Sequence, residues 1–208
     1  MKPTDRRAVA AGIAGMMGAG KSTVARVFEE MGAKRIEADE MGKRLLTDPA
    51  IKRRIVDAFG EQVLGPDGEV DSRKLAAAAF RDAASARKLN EITRGPLISR
   101  IMARIEDLRP SADVIAVDAA LLPEWGGHAW LDFLIVVDSD EEECVRRLAR
   151  NPRFGPDTIR ARMSSQLSRG DKKRYADLVI VNDGTLDELV EKARRAYEAV
   201  LRLRERSD

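Results

Sequence analysis

The chain has 208 residues, 35% of them charged, with 37 Lys and Arg against 35 Asp and Glu for a formal net charge of +2. That length suits one domain, with room for an inserted subdomain or a lid, and is enough to bury a sizeable core. The near-balance of charge gives no support to a nucleic-acid partner, which calls for a basic excess gathered on one face.

Residues 8–14, AVAAGIA, read as a buried strand, and a Gly-rich turn follows. KSTVARVFEEMGA then carries Val24, Val27, Phe28 and Met31 at helical spacing, with Gly32 where a C-terminal cap belongs. KRIEADE reads as a short second strand with acids at its end. Strand, turn, helix and strand make a βαβ unit with a right-handed crossover. From about residue 40 to 108 the pattern is helical, with breaks expected at TDP, at GPDGEVD and at RGP (94–96). DVIAVDAALL reads as a central strand with Asp118 near its C-terminal end, and LDFLIVVDS as another. DEEECVRRLARN is a helix with acids in its first turn and arginines in its last, as the helix dipole favours. NPRFGPD reads as a loop, TIRARMSSQL as helical and ADLVIVNDG as the last strand. A long amphipathic helix closes the pattern. Five strands alternating with helices predict an α/β fold: a parallel five-stranded sheet in three α/β/α layers.

The single cysteine, Cys144, excludes an internal disulfide and fits a reducing compartment. No His or Asn arrangement marks it as a nucleophile, so it reads as structural. The apolar run after MKPTDRR is short and broken by glycines, unlike a signal peptide, and no run reaches membrane-helix length. A cytoplasmic protein is expected.

Gly15, Gly20, Lys21 and Ser22 fit G-x-x-x-x-G-K-[ST], placed between the first strand and the first helix. The glycines let the backbone wrap a phosphate chain with its N–H groups inward, and the helix start adds its positive end. The expected nucleotide site therefore runs through Gly15, Met16, Met17, Gly18, Ala19, Gly20, Lys21, Ser22 and Thr23. Lys21 would reach the β- and γ-phosphates, and the Ser22 hydroxyl would sit on Mg²⁺. Such a P-loop serves kinases, GTPases and ATPases alike. A guanine-reading N-K-x-D is absent, and DEMG (39–42) is too short a match to carry a GTPase reading.

In parallel sheets ligands bind beyond the carboxyl ends of the strands, where Asp39, Asp118 and Asn182 also fall. Asp39 has two readings: acceptor of a proton from a hydroxyl substrate, or cap of the helix after it. Asp118 either orders Mg²⁺ through water or caps a turn. Arg146, Arg147 and Arg150 form a charged face, either solvated or belonging to a lid that the Pro/Gly loop after it would complete. Lys172, Lys173 and Arg174 read as a solvated turn, with a phosphate contact as the alternative. In WGGHAW, Trp125 and Trp130 read as packing, and His128 as structural or exposed.

In their order along the chain these segments resemble the dephospho-CoA kinase family. The P-loop and then EAD (37–39) leading into a helix are followed by AFGEQVLGPDGEVDSRKL, with Phe59, Gly60, Leu64, Asp67, Gly68, Asp71, Arg73 and Leu75 in place. Phe80, VDAALLPE, RRLAR, Gln166 and ADLVIVNDGT complete a resemblance that runs from about residue 9 to 195. It implies transfer of the ATP γ-phosphate to the ribose 3′-hydroxyl of dephospho-coenzyme A, with ATP and Mg²⁺ as cofactors. By the same resemblance Asp39 is the catalytic aspartate, Arg150 and Arg146 are lid arginines, and Asn182 and Gly184 lie where adenine is held. Residues 40–108 would form a helical acceptor-binding subdomain and 146–170 the lid. A small-molecule acceptor, no nucleic-acid or membrane partner, and a monomer or weak homo-oligomer are expected.

The departures from the family lie mostly on the acceptor side. Its His-Pro is here Arg94-Gly95-Pro96, and His128 is the only histidine in the chain. Ala120 replaces a proline before Leu121 and Leu122, Glu37 replaces an aspartate, and Ala14-Gly15 replaces a Gly-Gly. Two other readings stay open: a relative that phosphorylates another small hydroxyl, and a nucleotide-binding regulatory protein with little turnover.

Overall fold

The computed structural model describes residues 7–150, 159, 163–164 and 166–205. Five strands, β1 (Val9–Gly15), β2 (Lys34–Glu37), β3 (Val114–Asp118), β4 (Phe133–Asp138) and β5 (Leu178–Val181), form one sheet in the order β2-β3-β1-β4-β5. Every pairing is parallel; Ile13 lies opposite both Asp118 and Ile135, Glu37 opposite Asp118, and Asp138 opposite Val181. All seven residues of β1 are buried, as a strand covered on both faces requires. Because β1 is central, its end at Gly15 emerges between the ends of β3 and β4.

Alternate side chains along the strands supply two cores. One face, with Ala11, Ile13, Ala116 and Ile135, packs against Val24, Val27 and Phe28 of α1 (Lys21–Glu30) and against Ala193 and Tyr197 of the last helix (Leu186–Glu205). The other face, with Ala10, Ile115, Val117 and Val136, packs against the helical middle through Leu45, Ile51, Ile55, Ile101 and Ile105. That middle comprises α2 (Ala38–Leu45), α3 (Pro49–Phe59), α4 (Ser72–Ala79) and α5 (Ala83–Leu108). Beyond β4 come α6 (Glu141–Ala149), a short α7 (Arg169–Lys173) and the last helix, α8. The result is the expected α/β/α layering. Among the described residues no helix is long and apolar enough to cross a membrane.

The helix ends follow local chemistry. Asp48, Asp71, Asp82 and Asp140 each accept a backbone N–H at the start of α3, α4, α5 and α6. Thr185 and Glu188 exchange hydrogen bonds before α8, a capping box. At the end of α1, Gly32 N–H bonds Glu29 O at 3.0 Å and Ala33 N–H bonds Phe28 O at 2.9 Å, which satisfies two carbonyls of the last turn.

Two expectations are corrected. The breaks at TDP and GPDGEVD are present, but α5 runs straight through Arg94-Gly95-Pro96 for 26 residues. Pro96 cannot donate to the carbonyl one turn before it, that of Ile92. Arg54 of α3 donates to this carbonyl instead, at 3.3 Å, so a neighbouring helix satisfies the group that proline leaves open. The second strand is also shorter than read: it ends at Glu37, and Asp39 lies in the first turn of α2. The NPRFGPD loop and half of TIRARMSSQL lie outside the described residues, as does much of the expected 146–170 lid.

Asp138, at the end of β4, is only 6% exposed and holds two cations of α7, Arg169 at 2.8 Å and Lys173 at 3.1 Å. Burial by itself pushes its pKa up; the hydrogen bonds from Arg169 and then Lys173 outweigh it and hold the carboxyl below its ordinary value. Its contribution to stability is therefore complete above the unfolded pKa and is lost as the pH falls through the lower, folded one. Asp138→Asn should cost about 2 kcal/mol in urea unfolding at neutral pH. The gap to the parent protein should close as the pH falls below about 4. Equal unfolding midpoints at neutral pH would refute this account of how α7 is held.

Candidate active site

The turn from β1 into α1 is shaped by what lies behind it. Gly15 has φ 144°, and a Cβ there would strike the Val137 carbonyl of β4. Gly20, at φ 102°, holds the N-cap position of α1 in the left-handed region, with no capping side chain. The first N–H groups of α1 are therefore left to an anion. Between the two glycines the loop closes on itself, with Ala19 N–H on Met16 O at 3.1 Å. Met16 and Ala19 are buried; Met17, Gly18, Lys21 and Thr23 are half-buried; Ser22 is exposed. Gly18 backs onto the Cys144 carbonyl of α6. Backbone rather than side chain thus forms most of the loop's surface, which fits a phosphate chain.

Asn182 supports this loop. It is 6% exposed, and its Nδ2 donates to Ala19 O at 2.8 Å. Its own N–H bonds Asp138 O at 2.7 Å, while its carbonyl accepts from Ser139 Oγ at 2.9 Å and from Arg147 at 3.4 Å. The side chain read as adenine-facing is engaged with the P-loop. Gly184 sits exposed in the turn before α8, where a Cβ would run into the Glu188 carboxylate of the capping box.

The acids lie on the other side of β1. Glu37, not Asp39, occupies the N-cap of α2, and it makes no side-chain cap bond. The capping reading of Asp39 therefore fails. Its carboxylate is exposed and has no partner among the described residues. Asp118 does not cap a turn either: Arg35 of β2 donates to its Oδ2 at 2.7 Å, with the two side chains 16% and 11% exposed. Oδ1 of Asp118 has no described partner. Arg35 also lies 3.6 Å from Glu37 and 3.9 Å from Glu29. The sequence reading missed Arg35; its only signal was a basic residue in a short strand flanked by acids.

Among the described residues no group of three or more His, Cys, Asp or Glu could hold a metal ion by itself. This suits Mg²⁺, which binds through one or two protein oxygens together with substrate phosphates. Ser22 is exposed in the first turn of α1, and Asp118 at the end of β3 keeps one carboxylate oxygen without a described partner.

The arginines of α6 divide. Arg147 turns inward to Glu143, Ser139 and the Asn182 carbonyl. Arg146 is exposed and pairs with Glu143 at 2.8 Å, and Arg150, at the C-cap, is exposed without a described partner. Cys144 is fully buried, and burial pushes its thiol pKa up, which suits the structural reading.

The solvated-turn reading of 172–174 needs correction. Arg174 is exposed and Lys173 serves Asp138, but Lys172 is 1% exposed. Its Nζ donates to Glu124 Oε1 at 2.6 Å and to Ala120 O at 2.8 Å. Burial depresses its pKa; Glu124 opposes that shift and the charge of Lys21 adds to it. Trp125 is held at both ends by α5: its indole donates to Asn90 at 3.2 Å, and its carbonyl accepts from Arg94 at 3.3 Å. Trp130 is half-buried, and the exposed His128 stacks on Tyr175 at 4.5 Å, so these rings read as packing. A cleft of about 300 Å³ lies between α5 and the 119–125 segment, lined by Phe80, Asn90, Thr93, Leu121 and Trp125. Another, of about 660 Å³, opens over Met16 between α6 and residues 163–170.

Comparison with known proteins agrees with this geometry. The profile of the dephospho-CoA kinase family matches residues 9–188. A dephospho-CoA kinase of Methylococcus capsulatus is 38% identical over 173 residues, 82% of this chain and 86% of its own length. One from Corynebacterium glutamicum is 34% identical over 193 residues, 91% and 96% of the two chains. Among solved structures, a Thermus thermophilus protein superposes with a TM-score of 0.74 at 28% identity, over 92% of this chain and 97% of the other. With the family profile spanning most of the chain and identities above 30%, the protein belongs to the dephospho-CoA kinase family.

Proposed function

We propose that the protein transfers the γ-phosphate of ATP to the ribose 3′-hydroxyl of dephospho-coenzyme A, giving coenzyme A and ADP, the last step of coenzyme A synthesis. The observation that carries this reading is the Asp39 carboxylate, exposed in the first turn of α2 and without a partner among the described residues. In family members the acceptor is named in the enzyme, and the motifs that set this family apart recur here in order.

The residues divide the work as follows. The N–H groups between Gly15 and Thr23, with the start of α1, bind the β- and γ-phosphates. Lys21 neutralises their charge. Asp39 accepts the proton of the 3′-hydroxyl as its oxygen bonds to the γ-phosphorus; the bond from that phosphorus to the β-bridging oxygen breaks, and ADP leaves. Ser22 and Asp118 would hold Mg²⁺ together with the phosphates, and the ion would supply charge neutralisation at the phosphate oxygens. Arg150 and Arg146, both exposed at the end of α6, would meet the transferring group, and the lid expected from the family resemblance would serve to exclude water. Asn182 holds the loop beneath the nucleotide, with Gly184 in the turn beside it. Residues 40–108 bind the acceptor, with the cleft by Phe80 and Trp125 as part of its wall. Arg94 stands in for the family histidine by fixing that wall through the Trp125 carbonyl.

The deciding experiment is ADP release from Mg·ATP with and without dephospho-coenzyme A. Strong stimulation with coenzyme A as product is expected. ATP binding without stimulation would sink the acceptor assignment and turn attention to other small hydroxyl compounds, because the departures from the family gather on that side. Asp39→Asn should lower kcat by about 10²–10⁴-fold while ATP affinity is retained. An unchanged kcat would remove Asp39 from the reaction. Asn182→Ala deletes a buried bond to the loop, worth about 1–3 kcal/mol. ATP titration calorimetry should read this as an affinity loss of roughly tenfold or more.

A further inference from the structure

The buried polar or charged side chains among the described residues are Asp138, Ser139, Lys172 and Asn182. Three of them act directly beneath the P-loop or at the end of β4. Lys172 points elsewhere. It belongs to α7, whose other cations, Arg169 and Lys173, hold Asp138 beyond β4. Lys172 holds Glu124 and Ala120 O, beyond β3. Since β1 lies between β3 and β4, the two anchors of α7 straddle the P-loop.

Stability alone gives little reason for this lysine. A buried ion pair seldom repays the desolvation of its charges, and an apolar pair of like volume is often as good. Oε2 of Glu124 is buried without a hydrogen bond, so the pair is not fully satisfied. The positive charge of Lys21 also works against the Lys172 ammonium. Polyanionic phosphate bound at Lys21 would offset that opposition. The same contacts continue into the acceptor side. Glu124 Oε1 also accepts Leu167 N–H at 2.9 Å, and the next residue, Trp125, is gripped by Asn90 and Arg94 of α5.

We infer that Lys172 is a positioning residue for phosphoryl transfer: its ammonium ties the 119–125 segment to α7 and so sets the acceptor wall in register with the P-loop. This rests on the kinase reading above. Loss of the ammonium loosens the distance between acceptor hydroxyl and γ-phosphate, and misplacement by about 1 Å costs about 10²-fold in rate. ATP affinity, which the loop supplies, stays.

Lys172→Met alone leaves Glu124 buried and unpaired, which threatens folding, so the test uses Lys172→Met/Glu124→Gln. The glutamine keeps an acceptor for Leu167 N–H. Rates are counted per ATP site, titrated directly, and thermal unfolding is followed alongside. The double variant should keep its melting temperature and its ATP affinity, lose about 100-fold in kcat with dephospho-coenzyme A, and release a larger share of ADP without coenzyme A. A kcat within about threefold of the parent, with an unchanged share of uncoupled ADP, overturns the inference and leaves the kinase reading standing. A parent protein inert toward dephospho-coenzyme A overturns both. Should the double variant not fold, Lys172→Arg decides. It keeps the charge but, longer and planar, shifts Ala120. It should lose about tenfold in kcat with ATP affinity intact, and full activity there overturns the inference.

Discussion

A loop that binds phosphate through its backbone cannot be fixed by its own side chains, so everything depends on the groups behind it. Here the Val137 carbonyl stands behind Gly15, the Cys144 carbonyl behind Gly18, and the Asn182 amide behind Gly20 and Ala19. At the three glycines the approach is so close that any side chain would push the loop forward. The supports are polar, and burying them is tolerated because each is bonded: Ser139 and Arg147 to the Asn182 carbonyl, Asp138 to Arg169 and Lys173. Such a network is costly if half-made and rigid when complete.

The strand order divides labour about this loop. On one side, β4 and β5 bring the supports. On the other, β3 and β2 bring carboxylates. Glu37 and Asp118 face each other in register on adjacent strands, an arrangement of like charges that destabilises a sheet by itself. Arg35 lies between them and bonds Asp118. It makes an acidic strand end compatible with a folded sheet, and it leaves the other Asp118 oxygen without a partner among the described residues.

The strands, α1, α6 and α8 were legible because their signals are local: buried runs, 3.6-residue periodicity, Asp and Thr caps, a glycine past the helix end. The misreadings share one physical cause, a partner far along the chain. Arg94-Gly95-Pro96 looks like a helix break until Arg54, 38 residues away from Ile92, supplies the missing donor. DKKR looks like a solvated turn until Glu124, 48 residues from Lys172, takes its charge into the interior. Asp39 was placed just past the right strand end, but its capping alternative failed because α2 begins two residues earlier than a cap at Asp39 would need. The glycine turn between β1 and α1 was legible, since its pattern is written in consecutive residues. Its supports were not, because Asn182 carries no motif that distinguishes a buried prop from a ligand contact.

The acceptor side carries the chain's main departure from its family, and the geometry gives that departure a physical meaning. Asn90 and Arg94, one turn apart, share one face of α5 and hold the two ends of Trp125. Gly95 faces open space, so the segment spends no side chain beyond Arg94. A histidine in such a role changes its donors and its charge within the physiological range, whereas a guanidinium keeps both. His128 is stacked on Tyr175 and takes no part in the Asn90–Trp125–Arg94 contacts. Trp125 is therefore fastened to α5 through an amide and a guanidinium, with no histidine between them, and the 119–125 segment is tied to α7 by the Lys172–Glu124 pair.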